Sequence, residues 1–302
     1  MDGVLRLKEN FLMVQPLDAA EAARYGAFVD AAYAMFYSDP KNLTPKAQGF
    51  PAGYEMIAWI QMSDFGFGDV SPKFYGFIAQ NITDHSSVLA LRGTSNPLEW
   101  WDDFHAMSVP FRQVPNAGHV ADGFDKIYDT LLVVECAPAP GSVPATPPAS
   151  FATQVAGALR NKAALQSSEL QVFDHALSSL VVVGHSLGAA LCTLYVLENA
   201  TKQLIVNPVL CTFASPRVGN ASFVNTFNAL DLTSWRIVNA PDFVPNLPPD
   251  IFGFQHINVL SLFNSTGKVK SSLSCAHDMA TYLSLLDPAL QPAADCRNPA
   301  TP

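Results

Sequence analysis

The sequence predicts an α/β fold, a mostly parallel central sheet with helices on both faces. Three observations predict it. Short apolar, β-branched runs alternate with longer helical patterns over most of the chain, as in a parallel sheet covered by crossover helices. Leu180 to Leu197 is almost continuously apolar or small but is interrupted by Gly184-His185-Ser186 and Gly188, which reads as a buried strand turning into a buried helix. The 302 residues are 49% hydrophobic and only 14% charged, enough apolar material for a large core.

The elements follow in order. Asp18 to Phe36 is rich in alanine and reads as an amphipathic helix with Asp18 as its N-cap. Phe50 to Gly76 is aromatic and glycine-rich and is expected to form loops with short strands. Val88 to Leu91 is a short strand, ended by Arg92-Gly93-Thr94. Ala137 to Ser150 consists of Ala, Pro, Ser, Thr, Val and Gly and reads as a surface loop. A helix is expected from Phe151 to Leu165, a strand from Leu180 to Val183, a helix from Leu187 to Asn199 and a strand from Val209 to Phe213. There follow a helix from Ser222 to Leu230, strands over Trp235 to Asn239 and Ile257 to Phe263, and a final helix from Ala276 to Leu286. The sequence is expected to form a single domain over 1–302, with a less recognisable part at about 1–80 and the loop 137–150.

The formal net charge of -9 argues against an electrostatic nucleic-acid binder. Met1 to Asn10 mixes both charge signs and lacks the pattern of a secretion signal, which leaves the cytoplasm and a mature secreted form both open. The glycines and polar residues within Leu180 to Leu197 argue against a membrane span there, so no transmembrane segment is expected. Of the cysteines, Cys192 and Cys211 lie in apolar runs and read as core, and no pair among Cys136, Cys192, Cys211, Cys275 and Cys296 has zinc-site or redox spacing. Whether Cys275 and Cys296 pair depends on geometry that sequence does not show. The lack of a ligand-spaced His/Cys/Asp cluster leads to the expectation of no metal and no cofactor.

The most informative stretch is Val181-Val182-Val183-Gly184-His185-Ser186-Leu187-Gly188-Ala189-Ala190. A glycine-x-serine-x-glycine match is weak alone, but here a strand precedes it and a helix follows. On such a strained turn, Gly184 and Gly188 avoid clashes that side chains would cause, and the serine hydroxyl is exposed above the sheet. Ser186 therefore reads as a nucleophile. The N–H of Leu187, at the helix start, is aimed at a developing oxyanion.

Around this motif the sequence resembles the class 3, or fungal-type, lipases of the α/β-hydrolase superfamily. Leu91-Arg92-Gly93-Thr94 resembles that family's arginine-glycine-threonine turn, and Trp100-Trp101-Asp102-Asp103-Phe104 its tryptophan and aspartate segment. Asp122-Gly123-Phe124 looks like its glycine-phenylalanine element, although the family usually has histidine near Ala121 or Asp122. Thr212 to Asn220 resembles its proline-arginine-valine-glycine stretch, and Val238 to Pro245 its aspartate-containing segment. The resemblance runs from about Val88 to Leu286. Ala189 stands where the family often has a second glycine, and the interval from Asp242 to His277 is short for the fungal members.

A serine hydroxyl needs a histidine base oriented by a carboxylate, in the chain order Ser, Asp, His. Asp242 follows a strand in a proline-flanked loop and is the first candidate, with Asp231 and Asp250 as alternatives. After Asp242 only His256 and His277 remain; His277 resembles the family's catalytic histidine, and His256 its structural one. His185 reads as a packing residue. Thr94 is the candidate for the second oxyanion donor, beside Leu187, and Asp103 would brace its loop. Trp100 and Trp101 are candidates for a lid or acyl pocket. The resemblance implies a carboxylic ester hydrolase, a lipase cleaving acylglycerols through an acyl-enzyme, with a small-molecule or lipid ester as substrate and transient contact with a lipid interface. An esterase for soluble short-chain or aromatic esters is the alternative, and a non-catalytic binding protein of the same fold a remote one.

Overall fold

Runs such as Val181-Val182-Val183 and Val209 to Phe213 are apolar on both faces, and such strands are stable only in a sheet covered on both sides. In the structure, a computed structural model that describes residues 18–63, 71–94, 107–138, 149–166, 179–257 and 260–298, they lie at the centre of such a sheet. The chain opens with α1 (Ala19–Ser38), whose N-cap Asp18 accepts hydrogen bonds from the N–H groups of Ala20 and Glu21. Next come β1 (Tyr54–Ser63), β2 (Pro72–Asn81), β3 (Ser87–Leu91), β4 (Ser108–Pro110), β5 (His119–Ala121), α2 (Asp122–Tyr128) and β6 (Leu132–Glu135). The crossover part holds α3 (Phe151–Gln166), β7 (Leu180–His185), α4 (Leu187–Lys202), β8 (Val209–Phe213), β9 (Gly219–Asn220), α5 (Ala221–Asn228) and β10 (Ser234–Asn239). The chain ends with β11 (Phe254–Gln255), β12 (Leu260–Phe263), α6 (Leu273–His277) and α7 (Met279–Leu286).

Among the described residues the main sheet has the order β12-β10-β8-β7-β3-β2-β1-β6. β3, β7, β8, β10 and β12 pair in parallel, and β2, β1 and β6 add antiparallel strands at one side. β4, β5, β9 and β11 make a second small sheet. Helices cover both faces. On one, Phe124, Leu159, Leu191 and Phe223 of α2, α3, α4 and α5 share a core with Leu89 and Val182. On the other, α1 and α7 pack Phe28, Met35 and Tyr282 against Val183, Phe213 and Ile237. The sheet's central strands point their carboxyl ends at the loops carrying Arg92 to Thr94, Ser186 and Asp242, so parallel pairing alone gathers these residues at one edge.

Two expectations are corrected. In Phe50 to Gly76 the described residues form long strands, not short ones: β1 and β2, which begins here, each have ten residues, with register shifts between Met56 and Ala58 and between Ile60 and Gln61. The bulges break the strict alternation that would announce long strands. The final helix from Ala276 is instead two helices parted at Asp278, whose extended backbone ends α6 and whose carboxylate caps α7 through Thr281 N–H. Leu180 to Leu197 is a strand and a buried helix, and no described helix is long and apolar enough to cross a membrane. Most of the loop 137–150, Trp100, Trp101 and Asp103 lie outside the described residues.

Candidate active site

Ser186 sits between β7 and α4 with φ 56 and ψ -123, a backbone conformation that an L-residue adopts only when its surroundings impose it. The imposing contacts are visible. Ser186 N–H donates to the carbonyl of Phe213 on β8, and α4 begins at the next residue. A Cβ on Gly188 would lie 2.4 Å from the carbonyl oxygen of Arg92 and 2.5 Å from that of Leu91. Glycine there lets the first turn of α4 rest directly on the end of β3. The N–H of Leu187, at the first position of α4, is one of the helix's donors without an intrahelical acceptor.

The turn after β3 is held from both sides. Arg92 is buried, with its guanidinium 3.6 Å from the centre of the Phe36 ring and 4.3 Å from that of Tyr75. Its Nε and Nη2 donate to the carbonyl of Phe74 and its Nη1 to that of Gly93. A planar fork between two aromatic faces suits arginine and not lysine. Gly93 abuts the nucleophile: a Cβ on it would stand 2.8 Å from the Cβ of Ser186 and 2.6 Å from the hydroxyl of Tyr33. Thr94 is buried beside it, and its hydroxyl has no hydrogen-bond partner among the described residues.

Asp242 is buried in the loop after β10 and is fully engaged. Its Oδ1 accepts from Val244 N–H at 3.0 Å, and its Oδ2 takes His277 Nδ1 at 2.8 Å and the Tyr282 hydroxyl at 2.7 Å. Three donors make a buried carboxylate tolerable as an anion. His277, buried at the end of α6, thus has Nδ1 on Asp242 while Nε2 has no partner among the described residues. Asn239 ties the two loops, donating through Nδ2 to the carbonyl of Ala276 and the hydroxyl of Ser265. A disulfide joins Cys275, two residues before His277, to Cys296, with Cα atoms 5.3 Å apart.

His185 is buried under His277, ring centroids 4.5 Å apart, and its Nε2 meets the His277 carbonyl at 2.8 Å. Burial, and then the neighbouring His277, push its pKa well below the usual histidine range, so the ring is neutral. His256 lies elsewhere: its Nε2 donates to the Pro245 carbonyl at 2.8 Å, and burial followed by the charges of Arg236 and Arg217 lowers its pKa to about 3. Asp231 is an exposed turn residue with φ 52, and Asp250 an exposed residue opening a short 3-10 turn. A cavity of about 330 Å³ adjoins the site, lined by Asp30, Tyr33, Tyr37, Thr94, His277 and Asp278 among others. Among the described residues no group of three or more His, Cys, Asp or Glu is placed to hold a metal.

The structure thus brings together Asp242 and His277 by a direct bond, Thr94 and Ser186 across Gly93, and Ser186 and His277 through His185. Sequence reasoning missed Tyr33, Tyr282 and Asn239. Tyr282 stands five residues after His277, and no spacing rule marks it as a partner of a carboxylate 40 residues earlier. Tyr33 lies 60 residues before Gly93 on a helix whose other residues read simply as core.

Known proteins resemble this chain in sequence and in fold. A family model described as Lipase (class 3) matches residues 88–252, more than half of the chain. Phospholipase A1-II 1 of Oryza sativa subsp. indica is 34% identical over 175 residues, covering 53% of this chain and 39% of that protein. Phospholipase A1 EG1, chloroplastic/mitochondrial, from the same source, is 26% identical over an alignment covering 92% of this chain and 72% of its own length. The chain therefore matches well under half the length of the first relative and nearer three quarters of the second. Among solved structures, lipase II from Rhizopus niveus superposes with a TM-score of 0.56 at 20% identity, over 81% of this chain and 80% of that one, a likeness of fold. With the turn after β3, the serine elbow and the aspartate loop all inside the matched segment, the chain belongs to the class 3 lipase family.

Proposed function

We infer that the protein is a serine ester hydrolase that cleaves glycerolipid esters. The observation that carries this reading is His277: Nδ1 is fixed on a buried, fully bonded carboxylate while Nε2 has no partner among the described residues, in a buried site beside the serine elbow. That arrangement presents Nε2 to the side of the site where a serine hydroxyl would give up its proton.

In the proposed cycle the Ser186 hydroxyl attacks the ester carbonyl carbon and passes its proton to His277 Nε2. Asp242 stabilises the imidazolium without taking the proton itself. The tetrahedral oxyanion is met by the N–H of Leu187, aided by the start of α4, and by Thr94, through its N–H and its hydroxyl, which has no partner among the described residues. Collapse expels the alcohol, which takes the proton from His277, and leaves an acyl group on Ser186. Water then attacks the acyl-enzyme and gives a proton to His277; collapse releases the acid, and His277 returns that proton to the Ser186 oxygen.

The names of the curated relatives favour acylglycerol or phospholipid esters as substrate. An esterase acting on soluble short-chain or aromatic esters is the competing reading. The test is a chain-length series of p-nitrophenyl esters, an emulsified triglyceride and a phospholipid vesicle, with labelling by a fluorophosphonate. Labelling that is lost in Ser186→Ala, with rates rising beyond the solubility limit of the substrate, supports the lipid reading. Hydrolysis only of dissolved esters leaves the esterase, and no labelling of Ser186 leaves a non-catalytic binding protein. In the same assay Trp101→Ala, if Trp100 and Trp101 form a lid, is expected to lose more activity on emulsions than on dissolved esters.

A further inference from the structure

We propose that Tyr33 and His185 form a hydrogen-bonded strut that holds the oxyanion turn and the catalytic histidine at a fixed separation, making Tyr33 a positioning residue for the reaction. This rests on the hydrolase reading above.

The chain of contacts is continuous. Gly93 N–H donates to the Tyr33 hydroxyl at 2.8 Å; that hydroxyl meets His185 Nδ1 at 2.8 Å; and His185 Nε2 meets the His277 carbonyl at 2.8 Å. Only one assignment of protons satisfies all three. A carbonyl oxygen can only accept, so Nε2 of His185 carries the hydrogen. A neutral imidazole then has a bare Nδ1, which must accept, so Tyr33 donates its own hydrogen there. The Tyr33 oxygen is thereby free to accept from Gly93. Every polar atom in the path is used, and each bond has one direction. Burial keeps the His185 ring neutral, as this assignment requires.

The ends of the strut are what give it a role. Gly93 N–H belongs to the peptide unit just before the one that carries the Thr94 N–H, whose own carbonyl is held by Arg92, so the two bonds together pin the turn that leads into the oxyanion donor. The His277 carbonyl belongs to the base itself, whose ring is held separately by Asp242. Two restraints at different atoms leave His277 little freedom to swing. The middle is equally constrained: His185 is covalently next to Ser186, the Tyr33 ring lies 6.1 Å from that of Tyr37 in a near-parallel stack, and its hydroxyl approaches Gly93 where no side chain could stand. One helix outside the serine-bearing crossover thus sets the distance between the donor that binds negative charge and the base that moves the proton. A catalytic geometry held this way loses rate steeply with small misplacements.

The experiment compares wild type with Tyr33→Phe and His185→Asn, using kcat and KM on a dissolved ester, the inhibition constant of an alkyl trifluoromethyl ketone, and thermal midpoints. Tyr33→Phe keeps the ring and its stack and removes only the hydroxyl. The expected result is a fall in kcat of about 10- to 100-fold with KM nearly unchanged, since misalignment costs the transition state and not the bound ester. The ketone, which forms a tetrahedral adduct, is expected to lose affinity in proportion to kcat/KM. The double variant should lose no more than the worse single one, because both break the same path. Wild-type kcat in Tyr33→Phe, whatever its melting temperature, overturns the proposal. Nitrogen-15 NMR of the histidine rings provides a readout that needs no turnover: a hydrogen on Nε2 of His185 supports the strut, and one on Nδ1 overturns it. If the wild type hydrolyses no ester at all, the hydrolase reading fails, while the NMR result still decides the strut.

Discussion

The hydroxyl of Tyr282 donates to Oδ2 of Asp242 at 2.7 Å, the same oxygen that holds His277 at 2.8 Å. The tyrosine oxygen also accepts Asn239 N–H at 3.0 Å, so it links the end of β10 to the carboxylate that follows. Burial, and then the charge of Asp242, push the phenol well above its ordinary range, which keeps it a donor at every working pH. Tyr282→Phe leaves Asp242 with one donor fewer and strands Asn239 N–H. The expected loss is about 1.5–3 kcal/mol of stability, as for a hydrogen bond to a charged group, together with a lower kcat. Denaturant unfolding and initial rates on the purified variant check both parts, and an unchanged midpoint would remove Tyr282 from the site's support.

Ser186 keeps a positive φ that costs a non-glycine residue on the order of 1–3 kcal/mol. Ser186→Ala and Ser186→Gly should both be inactive, but they should differ in stability. Glycine relieves the strain and is expected to raise the thermal midpoint above that of the alanine variant. Equal midpoints would mean that the elbow is not strained.

For the base, His277→Ala is expected to lower kcat/KM by about 10⁴-fold or more, comparably to loss of the serine. His256→Ala removes the bond to Pro245 and is expected to lower stability with kcat nearly intact. An inactive but folded His256→Ala beside an active His277→Ala would reverse the two assignments.

The same histidine predicts an acid sensitivity. His256 has an ordinary pKa of 6.5 that folding lowers to about 3. The folded state therefore binds fewer protons between those values, and the stability this group contributes is present above about pH 6.5 and lost as pH falls toward 3. His185, also lowered, adds a loss of the same sign. Asp30, Asp125 and Asp278, whose pKa values burial raises, act in the opposite sense, so the informative quantity is a difference. His256→Gln, which retains a donor for Pro245, is expected to lose less stability than wild type between pH 7 and pH 4. Parallel melting curves across that range would contradict the shift.

The Cys275–Cys296 disulfide closes a loop with a sequence separation of 21 around the segment that carries His277. Chain-entropy reasoning assigns a loop of this size about 3 kcal/mol. A reductant, or the paired change Cys275→Ser with Cys296→Ser, should lower the thermal midpoint and reduce activity at temperatures well below it. Activity that tracks only the folded fraction would show the bond to be unrelated to the placement of His277.

What sequence made legible here is what a few neighbouring residues decide. The elbow at Ser186 is such a case: a β-branched strand, two glycines and a helix start lie within ten residues, so the chemistry and the local fold share one pattern. The sequence pointed to Asp242 by chain order and by its place after a strand, and to His277 by elimination together with resemblance, and the structure bonds the two to each other. The supporting shell was not legible, because each of its bonds closes over a long stretch of chain: 40 residues from Asp242 to Tyr282, 60 from Tyr33 to Gly93 and 92 from His185 to His277. The register shifts of β1 hid a long strand, and the apolar residues on both sides of Asp278 hid a break between helices.

The burial of α1 against the central strands has a consequence for how small a working piece of this protein can be. The segment recognisable as family, 88–252, contains Ser186 and Asp242 but neither His277 nor any part of α1. Excised, it would carry Ser186 and Asp242 without the histidine that the proposed cycle requires, and Val183, Phe213 and Ile237 would lose the cover of Phe28, Met35 and Tyr282. On the proposed cycle a working piece therefore has to reach from α1 past α7 to Cys296, whose disulfide closes around His277.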